Sequence, residues 1–142
     1  MLNQMLDHAR STSGDARLQC LEEMSEVLAR GKWTSDEATP VVEELVRMAA
    51  TEHDTDTLEV LLNDLVSAFD CGIPLSVSLS PLVPLLDRVE DENLIDYVLH
   101  LLGQSRQMQF FPAIDRFTSD TREAVRASAE SAMSELMGQT DD

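Results

Sequence analysis

The chain has 142 residues, of which 43% are hydrophobic and 4% aromatic. This length predicts a single domain of residues 1–142, and the hydrophobic share excludes a chain that is disordered throughout. With 27 acidic and 10 basic residues the net charge is −17, so nucleic acid and anionic membranes are excluded as direct partners because their phosphates would repel the chain.

Apolar residues recur every three or four positions in the first half of the chain, which predicts amphipathic helices. Residues 1–12 are predicted to form a short helix. Asp15 is the predicted N-cap of a second helix, which Gly31 ends. Ser35 or Asp36 is predicted to cap a third helix, and the acidic part of the chain starts with it.

A fourth helix is predicted to open at Asp54 or Thr55 and to stop at Gly72. Residues 36–71 carry ten acids and only Arg47, a net charge of −9. Such a concentration of acid is typical either of a solvated face or of a surface that attracts a basic partner.

Further helices are predicted in the second half. Ser80 is predicted to cap the first of them, which is expected to begin at Pro81, a favoured first-turn position for proline. The next two cover residues 92–103 and 107–117, and Asp120 caps the last one. The whole chain is therefore predicted to be helical, with seven or so helices in antiparallel pairs.

One apolar pattern occurs twice in this half of the chain. Pro81 and Pro112 are 31 positions apart, and thirteen positions after each comes Leu94 or Val125. A recurrence of this kind is the signature of a solenoid, in which one hairpin buries its apolar face by stacking on the next. The predicted fold class is all-α, with antiparallel helical hairpins stacked as a short superhelix. The approximate repeats are residues 15–31 (half a unit), 36–71, 80–103 and 107–138.

The last repeat carries the most specific motif. Its parts are Phe111-Pro112-Ala113-Ile114, Ser119-Asp120, Val125-Arg126 and the spaced alanines Ala129 and Ala132. This stretch resembles a HEAT repeat, a hairpin of the armadillo type of solenoid, and residues 81–102 are similar. The resemblance implies a curved right-handed superhelix whose second helices line the concave face, and it implies binding rather than catalysis. We predict that Ala129 and Ala132 pack tightly between helices.

Signatures of catalysis are scarce. The sequence has no glycine-rich phosphate loop, no nucleophile elbow and no His-Glu-x-x-His motif. Asp96 and His100 lie one helical turn apart, a spacing that more often gives a surface hydrogen bond than half of an acid–base pair or metal site. We predict that the protein is not an enzyme and has no cofactor and no metal site.

Cysteine and tryptophan positions indicate structural roles. Cys20 and Cys71 match no metal or redox spacing and are predicted to be small core residues. Trp33, the only tryptophan, is predicted to hold the first two long helices together, the alternative being an exposed anchor for a partner. The first residues lack the pattern of a secretory signal, which favours a cytoplasmic bacterial protein.

The acidic charge and the helical repeats together favour a protein-binding function. The leading hypothesis is an acidic immunity protein that binds and neutralises a basic, nuclease-type toxin domain, because such a toxin must have a basic cleft for phosphate. The alternative is a general HEAT-like scaffold or adaptor within a larger assembly, in which the acid serves only solubility.

The predicted partner surface lies on two of the helices. Glu59 and Asp64 fall off the apolar stripe of the helix that opens near residue 55, so they are expected to face water. Asp96, Tyr97 and His100 fall beside the apolar stripe of the helix over residues 92–103. These five residues are the predicted contacts with a basic protein, with Tyr97 as an aromatic anchor.

Overall fold

The computed structural model describes residues 2–70 and 77–138. Regular structure in these residues is entirely helical, which confirms the predicted all-α fold class. The α-helices are α1 (Leu2–Ser11), α2 (Gly14–Arg30), α3 (Ser35–Thr51), α4 (Thr55–Asp70), α5 (Leu85–Arg88), α6 (Glu92–Gln104), α7 (Phe111–Asp115) and α8 (Glu123–Leu136). Three short 3-10 helices are Ser80–Leu82, Met108–Phe110 and Arg116–Ser119.

Residues 1–78 form one compact unit. In this unit α1 packs on α2, α3 packs on α4, and the most extensive contact joins α2 to α4. The buried residues of α2 are spaced by three or four positions and so share one face: Cys20, Leu21, Met24 and Leu28. The buried set of α4 is wider, because α4 packs on both α2 and α3: Leu58, Leu61, Leu62, Asp64, Leu65 and Ala68.

The start of α3 is fixed by a reciprocal pair of hydrogen bonds. The Thr34 hydroxyl accepts from the Glu37 amide at 3.2 Å, and the Glu37 carboxylate accepts from the Thr34 amide at 3.1 Å. This arrangement is a capping box, which satisfies two amides that the first turn leaves free. The prediction that Ser35 or Asp36 caps the helix is therefore wrong by one residue or more, since both are already inside it.

Of two further predicted helix starts in this unit, one is confirmed and one is wrong. α4 begins at Thr55, as predicted, and the Asp54 carboxylate accepts from the Thr57 amide at 3.0 Å. Asp15 is not the N-cap of α2, because Gly14 is already the first helical residue. Gly14 has a φ of +63°, which glycine adopts freely. Cys20 is buried as predicted, whereas Cys71 and the predicted stop at Gly72 lie outside the described residues.

Residues 79–142 form a second compact unit. Here α5 packs on α6, α7 packs on α8, and the most extensive contact joins α6 to α8. The backbones come close at Gly103, where an added Cβ would lie 2.5 Å from the carbonyl oxygen of Ala132. Ala132 is buried at this close approach, which confirms that it packs tightly between helices, and Ala129 is buried as predicted.

The first helices of these two hairpins are shorter than the sequence predicts. The stretch at Pro81 is a 3-10 turn, Ser80–Leu82, followed by the four-residue α5, and no side chain caps the turn. Pro84, which has no amide hydrogen to donate, lies between the two pieces and explains the break. Residues 107–117 are likewise divided into a 3-10 helix, α7 and the start of another 3-10 helix.

The organisation as a single domain with four approximate repeats remains a prediction. No helix in the described parts of the chain is both long and apolar enough to cross a bilayer.

Candidate functional site

The five predicted contact residues lie in two different units. Glu59 is exposed on α4, and Asp96 and His100 are exposed on α6. Tyr97 is half-buried on α6. Asp64 is fully buried on α4, with 0% of its surface exposed.

The face of α6 that carries Asp96 and His100 is held in position by the rest of the helix. The Asp91 carboxylate accepts from the amides of Asn93 at 2.8 Å and Leu94 at 3.3 Å, which caps the first turn. The buried face consists of apolar residues and one glycine: Leu94, Ile95, Val98, Leu99, Leu101, Leu102 and Gly103. The exposed acid and imidazole therefore project from a rigid helix rather than from a loop.

The prediction that Asp64 faces water is wrong. It assumed a single apolar stripe, but α4 is packed on two sides, and Asp64 falls on the part that contacts its neighbours. Neither carboxylate oxygen has a hydrogen-bond partner among the described residues. Burial, and then the negative charge of Glu22, raise the pKa of Asp64 to about 9. At neutral pH Asp64 is accordingly a neutral acid and adds no charge to a binding surface.

Polar side chains surround one part of the α2–α4 interface. The hydroxyls of Ser25 and Ser67 are 2.9 Å apart, and the Asn63 side-chain amide donates to Ser25 at 3.1 Å. The Cys20 thiol donates to the carbonyl of Met5 at 3.3 Å. Burial, together with the negative charge of Glu23 and, above about pH 9, that of Asp64, raises the pKa of the Cys20 thiol.

A polar depression of about 250 Å³ lies where α1 meets the start of α3, lined by Leu2, Asn3, Trp33, Asp36 and Glu37. The Trp33 indole donates to the carbonyl of Val27 at 3.1 Å, and its ring covers Gly31 so closely that a Cβ there would lie 2.0 Å from the indole nitrogen. Trp33 thus fixes the end of α2 before α3 begins. Hydrogen bonds from the backbone and side chain of Thr34 lower the pKa of Glu37.

Much of the basic charge is neutralised within the chain. Among the described residues at least six arginines form ion pairs with acids: Arg10, Arg30, Arg47, Arg106, Arg116 and Arg122. The acids exceed the bases by 17, so most carboxylates have no cation to pair with. Among the described residues no three His, Cys, Asp or Glu side chains gather in a way that would hold a metal ion.

No protein-family model matches the chain, and no curated protein matches it. Among solved structures it is similar to a designed armadillo repeat protein in complex with the peptide (KR)4. The TM-score is 0.67 at 14% sequence identity, and the match covers 95% of this chain. The chain spans 64% of the length of the designed protein. At this identity the likeness shows the fold alone, and it confirms the predicted fold of a helical-repeat solenoid.

Two features near the candidate residues were not predicted from the sequence, namely the capping box of α3 and the burial of Asp64. Only the first has a signal in the sequence. The capping box of α3 follows the pattern Thr-x-x-Glu, which Thr34 and Glu37 display in the sequence. The burial of Asp64 has no sequence signal, because it depends on which helices pack against the flank of α4.

Proposed function

We propose that this chain is a protein-binding module, without catalytic activity of its own, whose partner presents a basic segment. The observation that carries the proposal is a net charge of −17 on a helical-repeat fold whose arginines are largely used in internal ion pairs. Carboxylates without internal partners attract a basic protein over a distance and accelerate its association.

The structural neighbour supports a basic partner. The designed armadillo repeat protein is in complex with (KR)4, a peptide of alternating lysine and arginine. A peptide of that charge complements an acidic surface, and arginine in particular forms paired hydrogen bonds with carboxylates.

The proposed contacts are the exposed members of the predicted set. Glu59 and Asp96 supply negative charge, His100 supplies a further polar group, and Tyr97 is a half-buried ring of the kind that contributes strongly at interfaces. Asp64 is left out of these contacts because it is buried.

A narrower form of the proposal concerns the identity of the partner. The basic cleft of a nuclease-type toxin is the complement of an acidic protein, and blocking that cleft would make this chain an immunity protein in the cytoplasm of a bacterium. What supports the narrower form is the charge alone. Its test is direct: the purified chain should abolish the nuclease activity of its captured partner at a one-to-one ratio.

The broader proposal is tested with a fluorescently labelled (KR)4 peptide. Fluorescence anisotropy should show saturable binding at low salt that weakens steeply as salt is added. Charge reversal at two exposed sites, Glu59→Lys with Asp96→Lys, should weaken binding about tenfold or more.

The matched control reverses the same amount of charge elsewhere. Glu23→Lys with Glu130→Lys changes two acids that are exposed on α2 and α8, and it should weaken binding much less. Equal losses in the two variants would show that the peptide responds only to net charge. An absence of binding by the unaltered chain at low salt would contradict the proposal itself.

A further inference from the structure

Asp64 is an anomaly in the α2–α4 interface. A buried carboxyl group ordinarily has a cation or several hydrogen-bond donors beside it, since an unpaired buried charge is very costly. Asp64 is fully buried, and both of its oxygens lack a hydrogen-bond partner among the described residues. The interface therefore accommodates this side chain as an acid, with its proton in place.

The groups that face Asp64 favour the same state. From α2, Glu22 acts on it with negative charge, and Asp64 in turn acts on Cys20. From α3, the buried face is wholly apolar: Ala38, Val41, Val42, Leu45, Val46 and Ala49. The arginines of α3 and α1, Arg47 and Arg10, are both in ion pairs with Glu44. Among the described residues Glu22 is the one charged group that acts on the Asp64 carboxyl, and the arginines of α2, Arg17 and Arg30, do not act on it.

We propose that the α2–α4 interface is proton-linked: it is closed with Asp64 protonated, and one proton leaves to solvent each time α4 separates from α2. The step involves one bond. When the carboxyl group meets water its O–H bond breaks, the electron pair stays on the carboxylate, and the proton passes to solvent. Closure reverses these events and takes one proton up.

The difference between the pKa of Asp64 in the closed form and in the open form sets the direction in which pH shifts the opening equilibrium. The closed form keeps the proton up to about pH 9, whereas an open, solvated aspartic acid has lost it above its ordinary range near 4. Between these limits opening releases a proton, so raising the pH favours the open form. The opening equilibrium constant should rise by up to about tenfold for each pH unit.

Native-state hydrogen exchange on the full chain tests this linkage. Exchange of the α2 and α4 amides, corrected for the intrinsic chemical rate, gives the opening constant. From about pH 5 to about pH 8 that constant should rise by as much as about a thousandfold in the unaltered chain. The Cys20 thiol, whose pKa is raised by burial, stays protonated over this range.

Two variants separate Asp64 from other effects of pH. Asp64→Asn has the shape of the protonated acid and cannot ionise, so the rise of its opening constant with pH should be nearly absent. Asp56→Asn removes one charge from an exposed site on the same helix, and its opening constant should rise with pH as in the unaltered chain. Equal slopes in Asp64→Asn and the unaltered chain would overturn the proposal.

A second measurement tests the proposal on the unaltered chain, even if Asp64→Asn does not fold. Infrared spectroscopy of the unaltered chain at about pH 7 should show the carbonyl band of a protonated carboxyl group, because ordinary aspartate and glutamate side chains are ionised there. The band should vanish as the pH passes about 9. Its absence at neutral pH would overturn the proposal.

Discussion

The interfaces α2–α4 and α6–α8 join equivalent helices of neighbouring hairpins, yet they are built differently. In α2–α4 polar side chains meet: Ser25 and Ser67 are 2.9 Å apart, and Asp64 is buried close by. In α6–α8 side chains are nearly absent at the closest point, where Gly103 faces the backbone of Ala132. One interface therefore depends on the protonation of a side chain, and the other depends on the volume of its residues.

The largest expected effect concerns pH and the α2–α4 interface. Because the pKa of Asp64 is raised in the folded chain, the folded chain binds one more proton than the unfolded chain between the ordinary carboxyl range and about pH 9. Its contribution to stability is complete below that ordinary range and is lost as the pH rises. The slope is at most roughly 1.4 kcal/mol per pH unit.

Urea unfolding at several pH values measures this loss. Relative to the unaltered chain, Asp64→Asn should gain up to about 4 kcal/mol between pH 5 and pH 8. The exposed-site control, Asp56→Asn, should follow the unaltered chain. Parallel pH profiles for Asp64→Asn and the unaltered chain would show that Asp64 is ionised in the fold.

A volume change should affect the α6–α8 interface and leave the pH profile alone. Gly103→Val places atoms where the backbone of Ala132 lies, and backbone cannot move aside as a flexible side chain does. We expect a loss of about 3 kcal/mol in the free energy of unfolding. Ala127→Val, at an exposed site on α8, should cost only a few tenths of a kcal/mol. Similar losses for the two variants would mean that the helices have room to separate.

Ala129→Leu also tests how sensitive the packing of α8 is to residue volume, with a smaller expected effect. Ala129 is buried in the face of α8 that packs on other helices, and a longer side chain can find partial relief by rotating. A loss of about 2 kcal/mol is expected from chemical denaturation. An unchanged midpoint would show that the site is open.

The smallest effect compares one helix cap from each unit. Thr34→Ala removes the capping box of α3, and Asp91→Ala removes the acceptor at the start of α6. Each should lower the free energy of unfolding by about 1 kcal/mol, because each removes hydrogen bonds at a helix start and leaves the buried residues unchanged. Thermal unfolding of the two variants provides the measurement, and a cost near zero for either one would mean that water replaces the cap.

The sequence predicts the helices and the close packing in the last repeat because both leave local signals. Apolar periodicity marks the helices, and the spaced alanines Ala129 and Ala132 mark a close approach. The prolines mislead in part: Pro81 begins a 3-10 turn rather than a long helix, because Pro84 follows three residues later. Likewise Asp120, predicted to cap α8, instead accepts from the Arg122 amide at 2.9 Å in the turn before that helix.

The candidate surface is less predictable than the fold. The exposure of Glu59 and Asp96 follows from their offset from the apolar stripes, and the structure agrees. The same reasoning fails for Asp64 because one stripe accounts for one neighbour only, whereas α4 packs on α2 and α3. Periodicity along a helix shows which face is apolar and cannot show how many neighbours surround it.

The tryptophan and the tyrosine of this chain divide between the two compact units, and this gives the molecule two separate optical signals. Trp33, bonded to the carbonyl of Val27, lies in the unit of residues 1–78, and Tyr97 lies in the unit of residues 79–142. Each is the sole residue of its type. Indole fluorescence excited beyond the absorption of tyrosine therefore reports on the first unit by itself, and tyrosine emission in a Trp33→Phe variant reports on the second. Superimposable unfolding curves from the two signals would establish one cooperative transition, and separated curves would give each unit its own stability.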